Sequence, residues 1–137
     1  MIPTVKFGGV SVMIWGAITY CGVEKLMFID STMDSELYVA ILRSGYAQTL
    51  DMHGMTIQNL IFQQDNDSKH LSKYTKRYLL SVNMKLLNWP SCSPDMNPIE
   101  NVWYYLKKAI SVEPNRPKNI AELIRNLIMG YFRSFIF

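Results

Sequence analysis

The chain has 137 residues, of which 49% are hydrophobic and 12% aromatic, and this composition suits one packed domain rather than a disordered segment. Its two cysteines, Cys21 and Cys92, are far apart and lack metal-ligand spacing, which argues against a disulfide scaffold or a structural zinc site. The net charge of +3 permits contact with a polyanion but does not by itself indicate a dedicated nucleic-acid binder. No apolar stretch reaches the roughly 18 residues of a membrane span and no signal-peptide pattern opens the chain, so we expect a soluble, intracellular protein without membrane contact.

The first third of the sequence predicts a hairpin followed by a helix. Val10–Thr19 is apolar on both faces, as in a fully buried strand, and Leu26–Ile29 follows it after a short turn that contains glycine. From Asp34 the apolar period changes to that of a helix, with Asp34 or Ser35 as its N-cap. We expect this helix to end near Leu50.

The middle third predicts a strand, a helix and a second short strand. Ile57–Phe62 is expected to be a buried strand that places the Asp65 carboxylate at its exposed end, the edge at which α/β sheets keep their chemistry. Ser68 is the expected N-cap of a helix with a basic polar side. Met84–Leu87 then forms the second strand.

A helix-start signal follows Trp89–Pro98, a loop made rigid by three prolines. Asn97 is the expected N-cap, Pro98 occupies the first helical position, and Glu100 lies three residues after the cap. Glu100 has two interpretations, a functional carboxylate or a structural one. In the structural interpretation, a glutamate at this position of a capping box bonds the backbone N–H of the cap residue. The expected inward stripe of the helix consists of Ile99, Val102, Trp103, Leu106 and Ile110.

The last part of the sequence predicts one more helix. Glu113–Pro117 breaks the preceding helix, and Lys118 or Asn119 starts the next one. Tyr131–Phe137 is an apolar tail, which we interpret as a liability for association.

Three stretches of this sequence resemble the catalytic core of Tc/mariner superfamily DDE transposases. They are Gln63-Gln64-Asp65-Asn66-Asp67 with His70, the run from Trp89 to Trp103 that contains Ser93-Pro94-Asp95 and Asn97-Pro98-Ile99-Glu100, and Gly8-Gly9-Val10-Ser11-Val12-Met13. Thirty-four positions, 66 to 99, separate Asp65 from Glu100, and this count is similar to the spacing of the second and third catalytic acids in the branch that ends in Glu. The resemblance covers about residues 1 to 125.

The resemblance implies an α/β fold of the ribonuclease-H-like class in one partial catalytic domain, 1–137, with its motif-bearing core at about 10–125. It implies that Asp65 and Glu100 meet at one cleft as ligands of Mg²⁺, with Mn²⁺ as a substitute. In the family a first acid, on a central strand, normally precedes the Gly-Gly-x-Ser-Val-Met stretch. We expect this chain to begin after that strand and after the amino-terminal helix-turn-helix, which would leave metal binding weak and the chain as given inactive.

Seven side chains are candidates for contact with DNA phosphates. The alternative for the basic side chains is that they form an ordinary solvated surface. The alternatives for His70 are a contact with phosphate, a bridge to a carboxylate, a helix cap or packing against other side chains. The candidates are Lys69, His70, Lys73, Lys76, Arg77, Lys107 and Lys108.

The leading interpretation is therefore a fragment of a Tc/mariner-like transposase, whose ancestral role is Mg²⁺-dependent DNA strand cleavage and transfer in the nucleus. Its implied partner is DNA at transposon ends, together with a second copy of the chain if it forms homo-oligomers. An alternative is a non-catalytic DNA-binding or self-associating module derived from a transposase. A third reading is a gene-model fragment that does not fold.

Overall fold

The computed structural model describes residues 4–7, 10–19, 22–88, 97–111, 117–119, 121–123 and 125–126. The chain divides into two compact units. The Asp65 unit comprises Thr32–Pro94, and the Glu100 unit comprises Ile2–Ser31 together with Asp95–Phe137. Among the described residues, no helix is long and apolar enough to cross a bilayer. The single-domain boundary 1–137 stays a prediction.

An antiparallel sheet of three strands forms the base of the Glu100 unit, as far as the described residues show. Its strands are β1 (Thr4–Phe7), β2 (Val10–Thr19) and β3 (Gly22–Ile29), in the spatial order β1-β2-β3. β2 has the predicted bounds, and it pairs with β3 as the predicted hairpin, with a register shift between Ala17 and Ile18. The structure therefore confirms the hairpin.

Strand β1 is an element that the sequence analysis missed. It pairs with the first residues of β2, from Thr4 opposite Met13 to Phe7 opposite Val10. In the sequence only two residues separate β1 from β2. Four residues are too few for their alternation to identify a strand, which explains the omission.

Burial of β2 is less complete than its apolar sequence suggested. Val12, Ile14 and Trp15 are buried, whereas Ile18 keeps 36% of its surface exposed. The prediction of a strand buried along its whole length was therefore wrong at its carboxyl end. The β3 strand also begins at Gly22, earlier than the predicted Leu26.

Helix α4 (Pro98–Ser111) packs against β2 within the same unit. Asn97 caps it as predicted: its Oδ1 accepts from the Ile99 N–H at 3.3 Å, and its carbonyl accepts from the Glu100 N–H at 3.0 Å. The predicted stripe is confirmed for the residues with described side chains, whereas the side chain of Ile110 lies outside them. The core cluster consists of Val12, Ile14, Val102, Trp103, Leu106 and Leu123, with Leu26, Phe28 and Ile99 packed against it.

The predicted last helix is present in residues 121–123 and 125–126. Asn119 is its cap, because its Oδ1 accepts from the Glu122 N–H at 2.9 Å, and the Glu122 carboxylate accepts in return from the Lys118 N–H at 2.7 Å. Leu123 is fully buried in the core cluster. The predictions for the proline loop at 89–96, for the break at 113–116 and for the apolar tail lie outside the described residues.

The Asp65 unit begins with one long helical segment that changes its winding. It consists of α1 (Ser35–Ile41), a π-helical turn (Leu42–Tyr46) and α2 (Ala47–His53). Asp34 is the N-cap, as predicted, and its Oδ1 accepts from the Leu37 N–H at 2.8 Å. Gly54, whose φ of 61° is in the left-handed region, ends the segment a few residues after the predicted Leu50.

The strand that leads to Asp65 is shorter and more exposed than predicted. Ile57–Asn59 form a 3₁₀ turn, and only β4 (Ile61–Phe62) is extended strand, paired in parallel with β5 (Lys85–Leu86). The predicted buried strand over residues 57–62 was therefore wrong. The Leu60 N–H bonds the Ile57 carbonyl, which closes the turn, and Ile61 in this two-stranded part of the described structure is 66% exposed.

Helix α3 (Lys73–Ser81) begins later than predicted. Ser72, rather than Ser68, is its N-cap, and its Oγ accepts from the Thr75 N–H at 3.1 Å. Residues 68–70 instead form a turn, in which the Asp67 carbonyl accepts from the N–H groups of His70 and Leu71. The aspartate side chains of this loop accept hydrogen bonds from backbone N–H groups that follow them. These bonds compete with the hydrogen bonds of a helix, so the helix starts later in the sequence.

Candidate active site

Asp65 lies three residues after β4, where the pairing of two short strands sets the start of the loop. The Phe62 carbonyl accepts from the Leu87 N–H at 2.9 Å, which extends the β4–β5 pairing. The Asp65 side chain is 23% exposed. Its Oδ1 accepts from the Asp67 N–H at 3.1 Å and lies 2.5 Å from Nδ1 of His70. Asp65 therefore follows a strand, as predicted, but the strand is short and is not the buried strand that we expected.

The contact between Asp65 and His70 keeps the carboxylate ionised. Burial works to raise the pKa of Asp65, but hydrogen bonds, among them those from His70 and from the Asp67 N–H, together with the charge of His70 outweigh it and hold this pKa well below its usual range. Because an ionised carboxylate has no proton to donate, Nδ1 of His70 is the donor in this pair. The imidazole therefore carries a proton on Nδ1.

His70 is held from several sides and is only 5% exposed. Its ring packs on that of Tyr38, with centroids 4.2 Å apart and an angle of 32° between the planes. The Tyr38 hydroxyl donates to Oε1 of Gln64 at 2.8 Å, and Nε2 of Gln64 donates to the His70 carbonyl at 3.2 Å. We call Tyr38, Gln64, Asp65 and His70 the Asp65 network.

Tyr38 supports this network from α1 and remains a neutral phenol. Burial, together with the nearby carboxylates of Asp65 and Asp67, raises its pKa far above the usual value for tyrosine. Its hydroxyl therefore keeps its proton at neutral pH and can donate to Gln64. Sequence reasoning quoted Gln64 as part of a motif but missed Tyr38, because their contact joins residues 26 positions apart.

Of the alternatives for His70, the structure contains two: the bridge to a carboxylate and packing, here against Tyr38. A phosphate contact by His70 stays a prediction, and its burial leaves little ring surface for one. Lys69 also has a local partner: its Nζ lies 2.9 Å from the Asp67 carboxylate, whose pKa stays below the usual range because the Lys69 contacts outweigh the effect of burial. Contact between Lys69 and DNA likewise stays a prediction.

The remaining basic candidates lie on two helices. Lys73, Lys76 and Arg77 are exposed on α3, and Lys107 and Lys108 are exposed on α4. Their DNA contacts are untested by the geometry of the protein alone and stay predictions. The sequence analysis did not anticipate one further basic contact, in which the Arg43 guanidinium lies 5.1 Å from the ring centroid of Tyr78.

Glu100 lies in the first turn of α4 and is half-buried. Trp103, one turn later, is 3% exposed, so its predicted role as a core residue is confirmed. Asp65 and Glu100 belong to different units, and their meeting at one cleft stays a prediction.

The chemistry of the predicted metal can be tested against these side chains. An ionised Asp65 offers the hard oxygen ligand that Mg²⁺ prefers, and its hydrogen bonds hold that ligand in place. Among the described residues, no group of three His, Cys, Asp or Glu side chains is gathered closely enough to hold an ion. The Asp65 network thus fits one carboxylate ligand of a divalent cation.

Residues 6–124 match the sequence family described as DDE superfamily endonucleases. Because this match covers most of the chain, the chain belongs to that family. This match confirms the resemblance of the sequence to Tc/mariner DDE transposases.

Two transposases of nematodes are similar to this chain. The Tcb2 transposase of Caenorhabditis briggsae is 39% identical over 109 residues, and the Tc1 transposase of Caenorhabditis elegans is 40% identical over 112 residues. These alignments cover 80% and 79% of this chain, and 39% of each relative. The chain therefore spans about two fifths of the length of these relatives.

Solved structures confirm the α/β, ribonuclease-H-like fold class. The catalytic domain of the Mos1 mariner transposase superposes with a TM-score of 0.79 at 17% identity, covering 98% of this chain and 68% of that domain. A Mos1 catalytic domain with raltegravir and Mg has a TM-score of 0.76 at 17% identity, covering 96% and 68%. The Mos1 paired-end complex with Mn has a TM-score of 0.72 at 18% identity, covering 91% and 37%. Two of these Mos1 structures contain a divalent metal, Mg in one and Mn in the other.

Proposed function

We propose that this chain is part of the catalytic domain of a Tc/mariner-like DNA transposase, in which Asp65 and Glu100 are ligands of Mg²⁺ and Mn²⁺ can replace it. The observation that carries the proposal is the Asp65 carboxylate, ionised and held by two hydrogen bonds at the motif that the family resemblance assigns to a catalytic acid. Glu100 supports it from the first turn of α4, where the positive end of the helix dipole favours a carboxylate.

Asp65 and Glu100 would hold the metal, which would supply activation of a water or a 3′-hydroxyl and stabilisation of the oxygen that leaves the phosphate. The residues of the chain do the rest. Hydrogen bonds that include those from His70 and the Asp67 N–H favour the charged form of Asp65, so no proton must be displaced before a cation binds. Two carboxylates make a weaker site than three, and we expect binding to this polypeptide to be weak.

DNA is the proposed substrate and partner, with transposon ends as the specific target and pairing of two chains as the assembly. The support is the similarity to the Mos1 paired-end complex and to the two nematode transposases. The nucleus is the proposed location, because the substrate is chromosomal DNA. Microscopy of the tagged chain in a eukaryotic cell tests this location, and exclusion from the nucleus contradicts it.

A titration with Mn²⁺, followed by calorimetry, tests the metal site. We expect the unaltered chain to bind, and Asp65→Asn and Glu100→Gln each to weaken binding at least tenfold. Asp51→Asn is the matched control, since Asp51 is an exposed aspartate on α2, and it should bind as the unaltered chain does. Binding that is absent from the unaltered chain, or unchanged by Asp65→Asn, overturns the proposed site.

A second candidate function is DNA binding without catalysis. The observation in its favour is the exposed basic side of α3, formed by Lys73, Lys76 and Arg77. Phosphate contacts make affinity fall with salt, with a slope of about 0.9 per neutralised phosphate on duplex DNA. Lys76→Gln should therefore lower this slope by about one unit, while Lys85→Gln on β5 should leave it unchanged.

The effect of Mn²⁺ on DNA binding distinguishes the two candidate functions. Binding to duplex DNA that is equally tight in EDTA and in Mn²⁺, and that survives Asp65→Asn, supports the non-catalytic module. Binding that is strengthened by Mn²⁺ only when Asp65 is present supports the transposase site.

A further inference from the structure

We propose that Tyr38, Gln64 and His70 are positioning residues that fix the orientation in which the Asp65 carboxylate meets a divalent cation. This inference rests on the proposed function and assigns to it three residues outside the acids themselves. It starts from the connected set of contacts in the Asp65 network, which runs from Tyr38 through Gln64 and His70 to the carboxylate.

The first step concerns the two contacts on Oδ1 of Asp65. The Asp67 N–H and Nδ1 of His70 both reach this oxygen, at 3.1 and 2.5 Å. These two contacts on Oδ1 take from the carboxylate most of its freedom to rotate, so the direction of Oδ2 is also set. Residues that hold a ligand in this way commonly change metal affinity by about 10–100-fold when they are removed.

The second step concerns what orients the imidazole. Nε2 of His70 is buried and finds no hydrogen-bond partner among the described residues, so side-chain hydrogen bonding does not fix that end of the ring. The ring plane is set instead by Tyr38, which covers it at a centroid distance of 4.2 Å. Tyr38 is itself 2% exposed and belongs to a helix, which gives it little room to move.

The third step concerns the backbone that carries His70. Gln64 joins the two parts of the network, because it accepts from the Tyr38 hydroxyl and donates to the His70 carbonyl. The buried Thr75 anchors the same turn from α3, with its hydroxyl donating to the Lys69 carbonyl at 2.7 Å. His70 is therefore constrained through its ring and its backbone by residues of α1, of α3 and of the loop 63–72 between β4 and α3, which we call the Asp65 loop.

Substitutions at Tyr38 and His70 separate the parts of this proposal. Tyr38→Phe keeps the ring that covers His70 and removes the hydroxyl that holds Gln64. His70→Asn keeps a nitrogen donor near the position of Nδ1, whereas His70→Leu keeps an apolar side chain and removes the donor. Tyr46→Phe is the matched control, because Tyr46 is a half-buried tyrosine of the same unit that packs on Phe62 instead.

Two readouts are needed on the full 137-residue chain. The first is the affinity for Mn²⁺, for which we expect a loss of about tenfold in His70→Leu, substantial recovery in His70→Asn, a smaller loss in Tyr38→Phe and no change in Tyr46→Phe. The second is the NMR signal of the His70 Nδ1–H, recorded without metal. We expect a sharp signal in the unaltered chain and in Tyr46→Phe, and a shifted or broadened one in Tyr38→Phe.

The outcomes distinguish this inference from the proposed function. If Asp65→Asn abolishes Mn²⁺ binding while Tyr38→Phe and His70→Leu bind as tightly as the unaltered chain, the positioning role is overturned and the metal site stands. If the unaltered chain does not bind Mn²⁺, the proposed function fails, and the NMR signal still decides whether Tyr38 orients His70. If the His70→Leu chain does not fold, Tyr38→Phe decides: a loss of affinity relative to Tyr46→Phe supports the inference, and an affinity equal to that of Tyr46→Phe contradicts it.

Discussion

Trp103 on α4 occupies the space that a side chain on Gly16 of β2 would need. A Cβ built on Gly16 would lie 2.8 Å from Cη2 of Trp103 and 3.0 Å from Cδ2 of Leu26. Glu100 is one helical turn before Trp103 on the same helix. The distance of Glu100, the proposed metal ligand, from the sheet of its own unit thus depends on the absence of a side chain at Gly16.

Gly16→Ala should lower the free energy of unfolding by about 1–3 kcal/mol, because the added methyl overpacks the contact with Trp103. Chemical denaturation measures this change. Trp103→Phe removes the ring atoms that collide with the methyl, so Gly16→Ala should cost less in a Trp103→Phe background. An equal cost in both backgrounds would mean that Trp103 is not the source of the penalty.

Ser72→Ala should destabilise the protein by about 1 kcal/mol, because it removes the side chain that caps α3. Ser68→Ala provides the comparison, since Ser68 is an exposed serine in the preceding turn and its loss should change stability by less than about 0.5 kcal/mol. Urea denaturation of both variants decides which serine starts the helix. A larger effect at Ser68 would restore the assignment made from sequence.

The Asp65 network should make the free energy of unfolding depend on pH in the acidic range. The folded pKa of Asp65 is below its unfolded value of about 3.9, so its contribution is fully present above that pH. It is lost as the pH falls through the folded pKa, where the carboxylate is protonated in both states. In denaturation series from about pH 6 to about pH 2.5, Asp65→Asn should therefore lose less stability than the unaltered chain. The control Asp51→Asn should follow the unaltered chain, and parallel curves for all three would contradict this origin.

Glu100→Gln distinguishes a metal ligand from a helix cap. As a ligand, Glu100 contributes little to metal-free stability, and the substitution should remove only the stabilisation that Mn²⁺ adds. As a cap, its loss should cost about 0.3–1 kcal/mol with or without metal. Denaturation with and without Mn²⁺ measures both. Glu36→Gln, an exposed first-turn glutamate on α1, gives the size of the dipole effect alone.

Sequence reasoning succeeded where a signal was local and repeated. Asn97 and the stripe through Val102, Trp103 and Leu106 marked α4 over several turns, and the apolar run of β2 marked a strand of ten residues. It failed for β1 and β4, whose four and two extended residues carry no period. Pairing with a neighbouring strand, rather than propensity, makes such short segments extended.

Some features of the candidate site could likewise be predicted from local sequence signals, and others could not. The family motif located Asp65, at the end of a strand whose length was overestimated. The contact between Tyr38 and His70 depends on how α1 lies beside the Asp65 loop, and no pattern within either segment encodes it. The start of α3 was misplaced because Ser68 and Ser72 are equally good caps in isolation, and the hydrogen bonds of Asp67 decide between them.

The π-helical turn at Leu42–Tyr46 bears on how relatives should be compared with this chain. A π turn accommodates an extra residue inside a helix that is otherwise of the α type, and one residue rotates everything that follows by about 100°. The turn absorbs that rotation locally, so Tyr38 before it and Leu50 after it can both remain buried. A homologue that lacks one residue here would keep the same helix with a uniform winding. Alignments should therefore place any single-residue gap of this helix between Leu42 and Tyr46, even where side-chain similarity alone would favour another position.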